Sequence, residues 1–297
     1  MRAILKKWFY QERQVLITAT AIAGTVMLVR WFGLLQVWEW AAFDQFVRWR
    51  PSEPIDNRIV VVEIGERDLQ KYGYPISDGV MAQLLQKLNA GKPQAIGLDI
   101  YRDLPTQPGN AELLKTFKSI PNLIGIELLP DETRLGVRPP LVLDKLDRVG
   151  FNNVVIDADG KVRRMLLYTW PSDGKTRQSF ALKLALLYLE SEGVSPQPAS
   201  VNPKYLQLGK GVFQPFQEND GAYVRSDSRG YQILASLRGP IGSFRTVSMS
   251  DVLTGKVSGD FVRSRLRTAQ SRSQPPIFAL LNAEQLTHAE YDKLINQ

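Results

Sequence analysis

Three charged residues that follow a short apolar run form the clearest candidate for chemistry in this sequence. Asp99, Arg102 and Asp103 lie at and just after the run QAIGLDI, residues 94–100. The run predicts a buried strand, and ligands of parallel sheets bind outside the carboxyl ends of the strands. We take all three as candidate ligand-binding residues, with Asp99 suited to a cation or polar molecule and Arg102 to an anion. The alternative is structural, in which Asp99 caps the following turn and pairs with Arg102.

A second acidic pair, Asp157 and Asp159, resembles a fragment of a calcium-binding loop. Such a loop needs further oxygen ligands and a terminal Glu, which this segment lacks. The pair precedes Gly160 and lies between two extended runs, residues 150–156 and 161–170. Asp-Gly in that position predicts a β-hairpin turn.

Several kinds of chemistry are excluded or disfavoured by composition. The chain has no cysteine, which excludes thiolate sites, and one histidine, His288, which excludes multi-histidine metal sites and disfavours a histidine-dependent triad. Gly239 and Gly242 do not form a phosphate-binding loop. The net charge of +7 is not arranged as a basic stripe interleaved with aromatic residues. We therefore predict no cofactor, no metal and no nucleic-acid partner.

The elements that position these residues begin with an apolar N-terminal segment. Residues 15–29 (VLITATAIAGTVMLV) carry no charge, and the apolar stretch continues past Arg30 to Leu35. A bilayer core requires about 20 mostly apolar residues, so residues 14–35 are predicted to form a transmembrane helix after a cytoplasmic segment, residues 1–13. Arg30 lies near one end, where its side chain can reach the lipid headgroups. A signal peptide cleaved after residues 21–23 (AIA) and a buried core helix remain the alternatives.

The charges before this segment predict its orientation. Arg2, Lys6, Lys7 and Arg13 are opposed only by Glu12. By the positive-inside rule, the N-terminus is cytoplasmic and everything after the helix is extracytoplasmic. The chain is thus predicted to be a single-pass protein of the plasma (inner) membrane.

The remainder has the pattern of an α/β fold. Two β-branched or apolar runs, residues 58–64 and 94–100, flank a helix that Ser77 caps and Gly91 ends. This pattern predicts a right-handed βαβ unit with parallel pairing. A short helix over 111–118 and a strand over 122–128 follow. We predict a mixed, largely parallel sheet with flanking helices and a β-hairpin, preceded by one N-terminal transmembrane helix.

Several segments, taken in order, resemble the CHASE2 sensor domain, an extracytoplasmic module of bacterial and especially cyanobacterial signalling proteins. The most specific match is KPQAIGLDIYRDL, residues 92–104. The other matching segments are residues 33–36, 43–44 and 48–51 at the junction, 56–64 at the first strand, 150–152 and 159–164 at the hairpin, and 237–240 and 252–257 late in the chain. The resemblance implies a domain held between membrane helices and coupled to a cytoplasmic output module.

The end of the chain departs from that pattern. The CHASE2-like domain is predicted over residues 36–266, whereas residues 267–276 are polar and end in two prolines. So polar a segment has little apolar surface to offset its ordering entropy. Residues 267–297 are therefore predicted to form a divergent, poorly ordered tail outside the folded domain, with weak docking of residues 277–281 as the alternative. This departure also suggests a truncated relative that lacks its own output domain.

Two function classes follow from these predictions. The first is a membrane-anchored sensor, without enzyme activity, that binds a small molecule of unknown identity and acts through a homodimer or a signalling partner. The second is an extracytoplasmic enzyme that uses carboxylates such as Asp99 and Asp103. Alanine substitution at both positions separates the two, since it removes ligand-induced stabilisation in one case and turnover in the other.

Overall fold

The computed structural model of this chain describes residues 13–51, 53–131, 135–171, 173–239 and 242–257, and the backbone of Ile277–Asn282. The chain divides into two compact units. One consists of Met1–Pro51 with Phe216–Ser228, and the other of Ser52–Pro215 with Arg229–Gln297.

The first unit is built on two helices, α1 (Arg13–Trp31) and α2 (Gln36–Trp49). The 19 residues of α1 rise about 28 Å, close to the thickness of a bilayer core. No residue of α1 is buried, and in the described part of the chain it alone is long and apolar enough to cross a membrane. The exposure contradicts the alternative that this segment is a buried core helix, because a core helix packs its apolar side chains against other elements.

Gly33 ends α1 in a Schellman motif. The N–H of Gly33 donates to the carbonyl of Arg30, and the N–H of Leu34 donates to the carbonyl of Val29. Gly33 has a φ of +78°, the left-handed conformation that this motif requires. The motif satisfies the last carbonyls of α1 and turns the chain before α2 begins.

The segment Phe216–Ser228 packs on the start of α2. The buried ring of Trp40 lies 5.4 Å from that of Tyr223, and Tyr223 meets Phe216 edge-on at 4.8 Å. The side-chain Oε1 of Gln36 accepts a hydrogen bond of 2.8 Å from the N–H of Val224. These contacts give the unit a small aromatic core of its own.

The second unit contains a six-stranded, entirely parallel sheet in the order β11-β1-β12-β2-β3-β4. Its strands are β1 (Asp56–Ile64), β2 (Ala95–Asp99), β3 (Leu123–Glu127), β4 (Val149–Phe151), β11 (Phe244–Ser248) and β12 (Ile277–Asn282). The fold class is α/β, as predicted, with parallel pairing in the main sheet and antiparallel pairing elsewhere.

The strand β12 corrects the prediction for the end of the chain. It pairs with β1 on one side and β2 on the other, so Leu280 lies in register with both Val62 and Leu98. The prediction that residues from Arg267 onward lie outside the folded domain is therefore wrong for Ile277–Asn282. The rest of 267–297 lies outside the described residues. The apolar run of this strand is short, and polar residues precede it in the sequence, so the sequence pattern does not identify it as a strand. Pairing with strands on both sides supplies the interactions that offset its ordering entropy.

The neighbour predicted for β1 also needs correction. The sequence predicts that β1 and β2 pair as consecutive strands of a βαβ unit, whereas β12 lies between them. Both strands run in the predicted direction. Consecutive strands are only usually adjacent, since a helical crossover can pass over one strand position.

The helices of this unit are α3 (Glu66–Tyr72), α4 (Asp78–Ala90), α5 (Asn110–Ser119), α6 (Leu141–Asp144), α7 (Phe180–Glu190) and α8 (Met249–Leu253). The helices that the sequence predicts after Ser77 and over 111–118 correspond to α4 and α5. Ser77 Oγ accepts a hydrogen bond from the N–H of Val80 at the start of α4, and Gly91 follows its last residue. The main core joins apolar side chains of β1 and β2 to Met81, Leu84 and Leu85 of α4, with helices α5 and α8 adding to it.

A second core forms where α7 packs on the sheet. Phe180 and Leu184 of α7 pack against Ala95, Ile124 and Ile126. Close approach of α7 depends on glycine, because a Cβ at Gly150 would lie 2.5 Å from the Cα of Phe180. Gly150 thereby brings the end of β4 against the start of α7.

Two smaller antiparallel sheets complete the unit. One has the order β10-β5-β6, from β5 (Arg164–Thr169), β6 (Arg177–Gln178) and β10 (Tyr231–Leu234), and the other joins β7 (Pro196–Ala199), β8 (Asn202–Leu208) and β9 (Gly211–Phe213). The predicted turn is present: the N–H of Gly160 donates to the carbonyl of Asp157, and Val155 forms an antiparallel bridge with Arg164. Beyond that bridge the two runs separate, because β4 joins the main sheet and β5 the first smaller one.

Candidate functional site

The carboxyl edge of the main sheet gathers polar side chains from three neighbouring strands. Because the strands are parallel, their carboxyl ends lie along the same edge. The strand β2 ends at Asp99, β3 ends at Glu127, and Asn152 follows the last residue of β4. Arg177 comes from β6, just before α7. We call Asp99, Tyr101, Glu127, Asn152 and Arg177 the edge cluster.

Asn152 links the members of the edge cluster. Its Nδ2 donates to Oδ1 of Asp99 over 3.2 Å, and its Oδ1 accepts from the hydroxyl of Tyr101 over 2.8 Å. Its backbone N–H donates to the carbonyl of Glu127 over 3.1 Å. One residue after β4 therefore holds groups that follow β2 and β3 in one hydrogen-bonded network.

Burial raises the pKa of the Asp99 carboxyl above its ordinary value, and the hydrogen bond from Asn152 opposes that change only in part. Desolvation penalises the charged form of an acid, so the neutral form of Asp99 persists to higher pH than it would in water. Among the described residues, Oδ2 of Asp99 has no hydrogen-bond partner. That oxygen is one free hydrogen-bonding position of the cluster. The buried Nε of Arg177, which likewise has no hydrogen-bond partner among the described residues, is another.

Glu127 is the second carboxyl of the edge cluster. Burial raises its pKa, the guanidinium of Arg177 lowers it, and the negative charge of Asp144 raises it further. Arg177 reaches Oε1 of Glu127 over 3.2 Å and Oδ2 of Asp173 over 2.8 Å. The pKa of Arg177 is raised, chiefly by its hydrogen bond with Asp173. The cluster therefore combines a hydroxyl, an amide, a held cation and two carboxyls.

This set of groups suits a small polar molecule better than a metal ion. Within the described ranges, no group of three or more acidic or histidine side chains is gathered for metal binding. A molecule with hydrogen-bond donors can bind Oδ2 of Asp99. Arg177 is already shared between two carboxylates.

A comparison with known protein families places the chain. The model of the CHASE2 domain matches residues 18–271, which is most of its length. The chain belongs to the CHASE2 domain family. CHASE2 domains are sensory domains, so the family supports a sensory role for the folded part of this protein. No curated protein and no solved structure matches the chain.

In this CHASE2 domain, Arg102 lies apart from the edge cluster. Its NH1 pairs with Oδ1 of Asp78 over 3.3 Å, and its NH2 donates to the carbonyl of Ile76 over 2.8 Å. Asp78 also accepts from the N–H of Thr106 and from Asn110. Arg102 therefore joins the loop after β2 to the start of α4. Its carboxylate partner is Asp78, not the Asp99 of the structural alternative.

Of the other predicted site residues, Asp99 lies in the edge cluster and Asp103 lies in an exposed loop. The structure thus does not bring Asp99, Arg102 and Asp103 together as one site. Glu127 has a sequence signal that identifies it by the rule used for Asp99, since it follows the buried run NLIGI, residues 122–126. Asn152 belongs to a segment that matches the CHASE2 pattern, but Arg177 has no such signal.

The turn at Asp157 and Asp159 is closed by arginine. Oδ1 of Asp157 accepts from Arg164 and Oδ2 from Arg163, over 2.7 and 3.0 Å. Asp159 pairs with Arg163 over 2.6 Å, and Arg164 also donates to Gln232 of β10. Guanidinium groups neutralise both carboxylates of this CHASE2 domain, in accord with the predicted hairpin turn. The sequence did not predict that these carboxylates and guanidinium groups form a buried ion cluster.

Proposed function

We propose that this protein is a membrane-anchored sensor whose CHASE2 domain binds a small polar ligand outside the cytoplasm. Membership of the CHASE2 family of sensory domains supports the sensory role. The exposure of α1, its uncharged residues 15–29 and the basic residues that precede them support the anchoring and the orientation.

The observation that carries the ligand proposal is the state of Asp99. It is a half-buried carboxyl whose pKa is raised by desolvation, with one hydrogen bond and one oxygen that has no partner among the described residues, at the edge where parallel sheets bind ligands. Burying such a group costs stability unless it gains a partner. A ligand amine or hydroxyl supplies that partner, with Tyr101 and Asn152 orienting it. The ligand class is therefore a small molecule with hydrogen-bond donors.

The ligand proposal is tested by thermal unfolding of the full chain in detergent. The probes are defined panels of amino acids, polyamines and sugars, because each class carries amine or hydroxyl donors. A compound that binds raises the midpoint by mass action. Asp99→Asn should weaken or remove that rise, whereas Glu63→Gln, an exposed change at the end of β1, should retain it. An unchanged rise in Asp99→Asn contradicts the site.

The same compounds separate a sensor from an enzyme. A sensor returns the bound compound unchanged, whereas a carboxylate-dependent enzyme converts it. Product analysis after prolonged incubation, with a variant lacking the carboxyls of both Asp99 and Asp103, decides between them. Conversion that this variant loses overturns the sensor proposal.

Anchoring and orientation have their own tests. An alkaline phosphatase fused after Gln297 should be active, since this enzyme folds only outside the cytoplasm, and inactivity there contradicts the orientation. Replacement of both Val26 and Leu28 by Asp should release the protein from membranes, at about 2.5–3.5 kcal/mol for each Asp at the centre of the helix. Membrane association that survives this change contradicts α1 as the anchor.

A further inference from the structure

The helix α2 has two apolar faces, and only one of them is covered. Trp40 is buried against Tyr223. On the opposite face, Trp38, Phe46 and Trp49 are 76%, 66% and 69% exposed. With Ala42 they follow a spacing of four, four and three residues, which places all four within an arc of about 80° on a helix. We call Trp38, Ala42, Phe46 and Trp49 the outer stripe.

The outer stripe is one continuous surface. The rings of Phe46 and Trp49 meet edge-on at 5.9 Å, and Ala42 lies one turn before Phe46. The middle of the stripe is about 160° around the helix from Trp40. A contiguous patch of solvent-exposed aromatic residues marks an interaction site, because transfer of apolar side chains out of water is favourable.

The location of the stripe in the chain indicates its occupant. Only the residues of the Schellman turn separate α2 from α1. Arg30 at the end of α1 donates to Glu39 in the first turn of α2 over 2.8 Å and to the carbonyl of Gly221 over 2.6 Å. The side chain of Arg30, the only charged residue near the end of α1, is therefore fixed by hydrogen bonds next to the first turn of α2. The start of α2 thus lies where α1 leaves the bilayer.

The residue types of the outer stripe suit the boundary between the membrane and water. Tryptophan has an apolar body and one N–H donor, and it concentrates at the boundary between headgroups and acyl chains. Arg48 and Arg50 are exposed at the same end of α2 as Trp49, which matches the negative charge of lipid phosphates. We propose that α2 is an interfacial helix, with its outer stripe inserted in the outer leaflet of the membrane that α1 crosses. This inference rests on the proposed anchoring by α1.

Site-directed spin labelling of the full chain tests the inference. The chain has no cysteine, so a single introduced cysteine carries the only label. Ala42→Cys places it on the outer stripe. Ala41→Cys is a matched control, since it is the same change at an exposed neighbour about 100° around the helix. Ala21→Cys reports on the middle of α1, and Phe46→Cys repeats the stripe measurement at a second position.

The labelled proteins are reconstituted in vesicles of phosphatidylethanolamine and phosphatidylglycerol. Collision rates of the label are measured with oxygen, which concentrates in lipid, and with a water-soluble nickel chelate. We expect the ratio of oxygen to nickel collisions to be severalfold higher at positions 21, 42 and 46 than at position 41.

Three outcomes overturn the inference, and they are distinguishable. A lipid-like ratio at position 21 with a water-like ratio at positions 42 and 46 overturns the interfacial helix and leaves the anchor in place. Spin–spin broadening at position 42 that disappears on dilution with unlabelled chain shows that a second copy covers the stripe. A water-like ratio at position 21 overturns the anchor and the interfacial helix together.

Discussion

Leu281 in β12 is paired in parallel register with Asp99 in β2, although 182 positions of sequence separate them. The strand next to the edge cluster thus comes from the last part of the chain. Strand β12 also pairs with β1, so the order of the main sheet depends on a segment that sequence patterning assigns to a tail. The site strand β2 keeps a neighbour on each side only while β12 is in place.

The central position of β12 predicts that Leu280→Pro will disrupt the domain. Proline has no N–H to donate and is excluded from central strands. Leaving a buried acceptor unsatisfied costs about 1–3 kcal/mol, before any displacement of the neighbouring strands. Urea unfolding measures the loss. Leu280→Val, which keeps the N–H and favours a strand, should stay close to wild type, and equal stability of the two variants would show that β12 does not pair centrally.

The buried ion cluster predicts a large effect for Asp157→Asn. The change leaves the guanidinium groups of Arg163 and Arg164 buried with less negative charge beside them. Breaking a buried ion pair from one side costs about 3–5 kcal/mol. The free energy of unfolding in urea gives the value. Asp159→Asn is the control, since the Asp159 side chain is 24% exposed against 0% for Asp157, and its loss should be the smaller one.

The raised pKa of Asp99 predicts a pH-dependent gain of stability in Asp99→Asn. An acid whose pKa is raised by folding contributes stability below its ordinary pKa and loses it as pH rises through the folded value. The ordinary value for Asp99 is 3.8, so the ionised form destabilises the wild type progressively above that pH. Asparagine is neutral and keeps an oxygen that accepts from Asn152. Thermal midpoints of Asp99→Asn should exceed those of wild type near neutral pH and converge with them in acid.

The prediction for Asp99→Asn has a matched control and an outcome that would contradict it. Asp103→Asn removes a carboxyl from an exposed loop, so its midpoint near neutral pH should stay close to that of wild type. A gain in Asp99→Asn that is constant from acid to neutral pH would show that something other than the charge of Asp99 is responsible.

Close packing of β4 on α7 predicts that Gly150→Ala will destabilise the domain. The new Cβ would lie 2.5 Å from the Cα and 2.6 Å from the backbone N of Phe180, so the helix itself must move. Overpacking of this kind costs about 1–3 kcal/mol. In Gly97→Ala the new Cβ meets the ends of the Leu184 and Phe180 side chains instead, which can rotate. Urea unfolding should show the larger loss for Gly150→Ala, and the reverse order would contradict the backbone contact.

Much of the local structure was predictable from the sequence because its causes are local. Uncharged residues over 15–29 predict α1, Ser77 and Gly91 bound α4, and Asp-Gly predicts the turn at Gly160. Each depends on residues within a few positions of one another, through helical periodicity, capping hydrogen bonds or a favoured turn conformation. The continuous apolar runs of β2 and β3 likewise predict buried strands, and with them the positions of Asp99 and Glu127 at strand ends.

Only the tertiary structure decided which of these elements meet. Arg102 pairs with Asp78, 24 positions earlier, and Asn152 bonds to Asp99 across 53 positions. Strand β12 takes the place beside β2 that sequence proximity assigns to β1. The physical reason is that the local sequence of a strand or a charged side chain does not specify which distant residue it will contact. Its partner is selected by the crossovers and by burial of the whole core, and those terms exist only once the chain has folded.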